Sequence, residues 1–502
     1  MTAATSAPTP LSTGIPGLDA ILRGGFPPHR LYLVEGDPGV GKTTLALQFL
    51  LDGVARGEPG LYVTLSETAE ELRAVAASHG WSLDGLEIHE LSSEEQLGGD
   101  TENSLFHPSE VELAETTKSI LSRVEATRPR RVVFDSLSEM RLLAQSALRY
   151  RRQILALKQY FVGRDCTVLL MDDRTSEVGD PQLQSIVHGV VELQLRAGEY
   201  GAERRRLLVR KLRGVGYQGG YHDYVIRAGG MTVFPRVVAD GGERDLPLAE
   251  VKSGLGPLDD LLGGGPAQGS SVLLIGPAGC AKSSIAVQYV YAAAQRGEGS
   301  AVFCFEESTR TLLARSRGLG TPLEEHVASG LVHLKQVNPA ELSPGEFSAL
   351  VKRRVEDGAR VIVIDSLNGY MHAMPEAQFL SAQLHELLGY LGERGVLTLL
   401  VVAQHGVLGA AMASPIDVSY LADTVLLFRF FELDGEVRKA ISIVKRREGA
   451  HEATIRELRQ GNGAIHIGEP LRGFRGLLTG VPVTLDRSAD ARNDGDGRTS
   501  AA

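Results

Sequence analysis

Residues 36–44 read GDPGVGKTT, and this stretch decides the fold. It satisfies G-x-x-x-x-G-K-[ST] with Gly36, Gly41, Lys42 and Thr43 in the fixed places, Asp37, Pro38, Gly39 and Val40 in the turn, and Thr44 next. A polyphosphate crowds negative charge onto neighbouring oxygens, so a loop that grips it must converge many backbone N–H donors on a small volume. Glycines permit that curl. Lys42 supplies a point charge for the β- and γ-phosphates and Thr43 a hydroxyl for Mg²⁺, while the helix that starts here turns its positive end toward the anion. Upstream, LYLV at 31–34 is the apolar run of a buried parallel strand; downstream, Leu45, Leu47, Phe49 and Leu50 continue an amphipathic helix. Strand, glycine-rich turn and helix is the context a phosphate-binding loop requires.

The chain contains this unit twice. Residues 11–50 reappear as 251–290, an offset of 240 that carries Lys42 onto Lys282. STGIPGLDAILRGG at 12–25 answers KSGLGPLDDLLGGG at 252–265, and GDPGVGKTTLALQF answers GPAGCAKSSIAVQY. A period this long exceeds that of solenoid repeats, so each copy is expected to be a domain with its own core, and 502 residues accommodate two. Within each copy, apolar runs (61–65, 132–134 and 168–171; then 301–305, 361–364 and 397–402) alternate with helical patterns such as 69–78, 110–126 and 377–392. That reads as α/β with a mostly parallel central sheet. Late in each copy the pattern alternates, 190–195 with 206–212 and 424–430 with 440–445, which we read as antiparallel edge strands. The expected organisation is a first domain at 9–236, a linker at 237–248, a second domain at 249–484 and a polar, disordered tail at 485–502.

A content of 43% hydrophobic and 23% charged residues is that of a soluble globular protein, and the net charge of −10 argues against a dominant nucleic-acid or anionic-membrane surface. Cys166, Cys280 and Cys304 include no C-x-x-C pair, which fits a reducing compartment and points to the cytoplasm. The opening MTAATSAPTP has neither the basic nor the apolar region of a signal peptide, and no apolar run reaches the roughly 18 residues of a membrane span.

The second phosphate loop consists of Gly276, Pro277, Ala278, Gly279, Cys280, Ala281, Lys282, Ser283 and Ser284, and departs from the pattern where Ala281 takes the place of the second glycine. If the backbone there needs a positive φ, the methyl group costs something, so nucleotide binding is expected to persist but weaken. Cys280 lies beside a lysine and a helix start, which can lower a thiol pKa, yet a small residue filling a loop accounts for it better. Each copy then offers an apolar strand ending in Asp-Ser, with Asp135 in VVFDS and Asp365 in VIVIDS. An aspartate there is often only a loop residue; downstream of a phosphate loop, in both copies, it is placed to orient Mg²⁺ through a water. Hydrolysis also needs a group for the attacking water. The first copy offers Glu67 after Ser66, the second Glu306 and Glu307, and a serine cannot act as a carboxylate base. Candidate Mg²⁺ contacts are Thr43, Ser283 and Glu306. Lys211 with Arg213, and Lys445 with Arg447, close the alternating strands. They are either solvent-facing strand positions or cations that reach a neighbouring subunit's γ-phosphate as arginine fingers do.

Together these residues resemble the KaiC family of RecA-like ATPases in its double-domain form, with tandem duplicated RecA-like P-loop NTPase domains. The resemblance rests on the tandem openings, both phosphate loops, Glu306-Glu307, the two Asp-Ser strand ends, the two Lys-x-Arg pairs and FRGLLTGVP at 474–482. It implies ATP and Mg²⁺ as ligands, a homohexamer of two stacked rings with ATP between subunits, Lys-x-Arg pairs acting in trans, and ATPase activity. For clock members it further implies autophosphorylation in the second domain and a KaiB-like or other signalling partner. Aligning ADTVLLF at 422–428 puts Ser419-Tyr420 where clock members carry adjacent Ser and Thr acceptors, which makes Ser419 the implied phosphoacceptor, with Glu306 or Glu307 taking its proton. The alternative is that Ser419 caps or packs beside Asp423. Ser66, Ala281 and the tail after Pro482 depart from the clock pattern. Two further classes are a nucleotide-switched signalling scaffold and a RecA/RadA-like DNA-dependent ATPase. The last wants a basic surface, and Arg149, Arg151, Arg152 and Arg204 to Arg206 are better read as subunit contacts or solvated positions.

Overall fold

The computed structural model describes residues 9–91, 108–174, 181–197, 201–239, 241, 249–372, 377–404, 420–461, 463–476 and 483–484. Ser419, the end of the 474–482 motif, most of the expected linker and the tail at 485–502 lie outside them. The chain divides into two units, residues 1–236 and 237–502. Val237 belongs to the core of the second unit, and the Gly241 amide donates to Glu393 there at 2.8 Å.

The first unit is built on strand β1 (Leu31–Gly36), whose six residues are all buried. Burial on both faces explains why LYLV is a continuous apolar run: Tyr32 and Val34 enter one cluster, Leu31 and Leu33 the other. Around β1 lie β2 (Gly60–Thr64), β3 (Leu86–Glu90), β4 (Arg131–Asp135), β5 (Thr167–Asp173), β6 (Gly189–Arg196), β7 (Arg204–Leu212), β8 (Tyr221–Arg227) and β9 (Gly230–Phe234). The sheet order is β3-β2-β4-β5-β1-β6-β7-β8-β9. Pairing is parallel from β3 through β6 and antiparallel from β6 to β9.

The second unit repeats this plan in the order β12-β11-β13-β14-β10-β15-β16-β17-β18. Its strands are β10 (Ser271–Gly276), β11 (Gly299–Cys304), β12 (Val332–Gln336), β13 (Ala359–Asp365), β14 (Leu397–Ala403), β15 (Thr424–Leu433), β16 (Glu436–Arg446), β17 (Arg456–Gly461) and β18 (Ala464–Pro470). These are two RecA-like α/β domains with mostly parallel sheets. No helix among the described residues is long and apolar enough to cross a membrane.

The helical patterns correspond to Ala69–Ser78, Pro108–Thr127 and Ala377–Glu393. One expectation needs correction: β6 and β15 are interior strands, parallel to β1 and β10 on one side and antiparallel to β7 and β16 on the other. The true edges, β3 and β9 or β12 and β18, went unread because strands such as LEIHE are short, half-buried and poor in apolar residues.

Candidate active site

Both phosphate loops leave the carboxyl end of the central strand, between two parallel neighbours, where sheets of this kind receive ligands. Gly41 has φ 96° and Ala281 has φ 79°, so the second loop does place an alanine in the left-handed region. Space differs as well. A Cβ on Gly41 would lie 2.2 Å from Ile226 Cδ1, whereas Gln460, at the corresponding strand position, sends its Nε2 to Ser284 Oγ at 2.8 Å. The alanine thus goes with a different neighbour, Gln460 in place of Ile226. Cys280 is buried and its thiol is pushed up to about 11 by that burial, the behaviour of a loop filler.

Lys42 donates to the carbonyls of Gly36 (2.9 Å) and Asp37 (3.1 Å), and Lys282 to those of Gly276 (2.8 Å) and Pro277 (2.6 Å). Burial lowers the Lys282 pKa. Thr43 Oγ1 donates to Asp135 Oδ2 at 3.4 Å, and Ser283 lies near enough to Asp365 to oppose the rise of its pKa. A hydroxyl facing a carboxylate beside a polyphosphate loop is a donor set suited to Mg²⁺, which takes oxygen ligands and keeps waters. Burial raises the pKa of both aspartates; at Asp135 hydrogen bonds from Tyr62 and Thr43 and the charge of Lys42 oppose the rise. Tyr62 donates to Asp135 Oδ2, and its counterpart on β11 is Val302.

Local structure fixes the glutamates. Thr64 Oγ1 accepts from the Glu67 amide (3.0 Å) and donates to the Glu67 carbonyl (2.6 Å), and Thr68 then caps helix Ala69–Ser78 in a capping box with Glu71. Glu67 Oε2 is buried without a hydrogen-bond partner, and burial, with Asp135 next, raises the Glu67 pKa. In the second unit Arg315 grips Glu307 (2.7 and 3.3 Å), while Ser366 Oγ donates to Glu306 Oε1 at 2.6 Å. Glu306 and Glu307 line one cleft of about 530 Å³ with Lys282, Ser283, Asp365 and Gln460.

The Lys-x-Arg pairs lie elsewhere. Leu212 is paired with Gly189, which sits beside Tyr32 at the start of β1, so roughly 13 Å of strand separates that row from Gly36. There Lys211 donates to the carbonyls of Gln184 (2.6 Å) and Val187 (2.8 Å), and Arg213 to that of Ser185 (3.0 Å). Lys445 likewise donates to the Ala422 carbonyl (2.8 Å), and Arg447 to Asp423 Oδ1 (3.1 Å) and the Tyr420 carbonyl (2.8 Å). Both pairs are thus remote from the phosphate loop of their own domain. Of the basic residues weighed for DNA, Arg206 stacks on Tyr221 and Arg205 pairs with Glu203.

Sequence reading missed Tyr62, Arg315, Gln460 and a third strand-end carboxylate, Asp173. The last was visible in principle, since Asp172-Asp173 follow the apolar run 168–171 much as Asp135 follows VVF.

Tandem RecA-like sheets with a phosphate loop, a basic residue and an opposed strand-end aspartate in each define a double-domain P-loop ATPase. The family model for the KaiC ATPase matches residues 11–238 and again 251–472, and the chain belongs to that family. It is 27% identical over 493 residues to the circadian clock oscillator protein KaiC of Parathermosynechococcus lividus, spanning 96% of this chain and 89% of that protein. Identity to the KaiC of Synechococcus elongatus is 27% over 492 residues (96% and 93%), and to the circadian clock protein KaiC3 of Synechocystis 24% over 493 (97% of each).

Proposed function

We propose that the chain binds ATP with Mg²⁺ at both phosphate loops and hydrolyses it at the interfaces of a homohexamer, each site being completed by Lys211 and Arg213, or Lys445 and Arg447, from a neighbouring copy. The observation that carries this reading is the separation just described: each domain holds its loop and aspartate at the carboxyl ends of its parallel strands and its cation pair toward the opposite ends. Such a cation can meet a γ-phosphate only on another copy. Thr43 and Ser283 would hold Mg²⁺, with Asp135 and Asp365 on its waters, and the metal would supply charge neutralisation at the phosphates. Lys42 and Lys282 exchange loop carbonyls for phosphate oxygens. Glu67 and Glu306 would orient the attacking water. In the second domain the same arrangement supports phosphate transfer to Ser419, next to Tyr420, whose carbonyl Arg447 holds. The clock functions named for the relatives extend to this chain as a clock-like or other signalling role in the cytoplasm, with a KaiB-like or other signalling protein as partner.

ATP turnover of the wild type, Lys42→Ala and Lys282→Ala, with and without single-stranded DNA, tests the assignment. Each variant should lose part of the turnover and DNA should change nothing. Undiminished turnover in both variants would remove the ATPase reading.

A further inference from the structure

The two sites follow one plan, yet their carboxylates are distributed differently. In the second, Glu307 is engaged by Arg315, which leaves Glu306, exposed and oriented by Ser366, facing the cleft. In the first, the place of Glu306 is taken by Ser66 and that of Arg315 by Val75. The carboxylate withdrawn from the loop after β2 has a substitute at the end of β5, across β4 in the sheet. β5 ends in Asp172-Asp173 where β14 ends in Val402-Ala403, and the registers correspond, with Asp173 beside Gly36 and Ala403 beside Gly276. Asp173 Oδ1 lies 2.7 Å from Lys42 Nζ. A second change accompanies it. Asn368 brackets Ala403 by donating to its carbonyl (2.9 Å) and accepting from its amide (2.8 Å); at the corresponding helix position Ser138 accepts from the Asp173 amide (3.3 Å), and its single hydroxyl proton is shared between Asp172 Oδ1 (3.3 Å) and Asp173 Oδ2 (3.4 Å). The shorter side chain leaves room for the aspartate and helps to orient it.

We propose that Asp173 is the second carboxylate of the first ATP site, replacing the glutamate that Ser66 lacks and holding the attacking water jointly with Glu67. The proposal rests on the ATPase reading. Lys42, gripped by Asp173, points to the phosphates when nucleotide enters, which sets the Asp173 carboxylate beside the γ-phosphate. The water oxygen then bonds to the γ-phosphorus as the bond from that phosphorus to the β,γ-bridging oxygen breaks, its electron pair leaving with ADP. The proton that the water loses passes to Asp173 and from there to solvent.

The test uses the full chain carrying Lys282→Ala, so that turnover reports the first site. Adding Asp173→Ala should lower kcat by about 10²-fold, the usual scale of a general base, with the Kd of a fluorescent ATP analogue nearly unchanged. Asp173→Asn, which keeps the shape and the Ser138 contact, should lose as much. Adding Ser66→Glu to Asp173→Ala should recover at least about tenfold of that loss, because a carboxylate returns from the other loop. If Asp173 only parks Lys42, its removal will tighten ATP binding and leave kcat unchanged or raised, which overturns the proposal; so does failure of Ser66→Glu to recover activity. Absence of turnover in the Lys282→Ala chain itself, while Lys42→Ala remains fully active, would instead overturn the ATPase reading of the first site.

Discussion

Gly41→Ala tests whether the two loops differ through a coupled exchange or through a tolerance that both share. At φ 96° an alanine bears left-handed strain of about 1–2 kcal/mol. Its Cβ would meet Ile226 Cδ1 at 2.2 Å, the tip of a half-buried side chain that can turn aside at a cost of about 0.5–1.5 kcal/mol. The first unit should therefore lose about 1.5–3.5 kcal/mol. Ala281→Gly should be neutral to mildly stabilising, because the roughly 1–2 kcal/mol of relieved strain is only partly offset by about 0.5–1 kcal/mol of extra unfolded-chain freedom. Combining Gly41→Ala with Ile226→Gln reproduces the second loop's pairing and should show a favourable coupling of about 0.5–1.5 kcal/mol, the cost of the displaced rotamer. Trp81, the single tryptophan, stands against Gly230 in the first unit, so its fluorescence during urea unfolding reports that unit alone. Protection of helix Lys282–Gln295 in hydrogen exchange reports the second. A coupling below about 0.5 kcal/mol, the level of independent sites, or equal losses from Gly41→Ala and Ala281→Gly, would refute the reasoning.

Burial raises the Asp172 pKa to about 6 even with Arg141 at 2.5 Å. A carboxyl that holds its proton more tightly when folded contributes stability that is full below its unfolded pKa near 4 and is lost as pH rises through about 6; Trp81 unfolding should therefore lose stability between pH 4 and 6.5 in the wild type by more than in Asp172→Asn. Lys211→Ala with Arg213→Ala should leave ATP analogue binding by the separate chains intact but reduce ATP-driven assembly in light scattering, since those cations are remote from their own loop. Phosphopeptide mass spectrometry after incubation with ATP and Mg²⁺ should find phosphate on Ser419, and wild type that hydrolyses ATP without it is not an autokinase.

The fold was legible because its decisive signals are local: a glycine-rich turn between two apolar periodicities, found twice at one offset. The candidate site was legible only where a residue belongs to one short stretch, as with Lys42, Asp135 and Glu306, which the structure places at or after the ends of the parallel strands. Arg315 reaches Glu307 by returning on the capped helix after it, and Gln460 reaches Ser284 from a strand far along the chain. Their meaning depends on pairings that no spacing reveals. Asp173 could be read as an aspartate after an apolar strand, as Asp135 was, but its place opposite Gly36 follows only from the sheet order, which puts β5 beside β1.

The same dependence on neighbours governs how the two copies diverged. Across β5, β1 and β6 of the first unit, one row of the sheet carries Asp172, Glu35 and Glu192; the corresponding row of the second carries Val402, Ile275 and Leu427. The three acids are buried and meet Arg141, Arg174 and Arg210, with Gln184 donating to Glu35 at 2.8 Å. A buried ionic cluster and an apolar row of similar volume differ little in net stability, whereas removing one partner from the cluster costs about 3–5 kcal/mol. Intermediates with a lone acid or a lone arginine on that row would be the unstable ones. The exchange is therefore least costly as a set, and the same coupling is expected for Gly41 with Ile226 against Ala281 with Gln460, and for Ser138 with Asp173 against Asn368 with Ala403. A single residue in one copy thus gives little warning of what its counterpart does in the other, because the unit that changed is the contact.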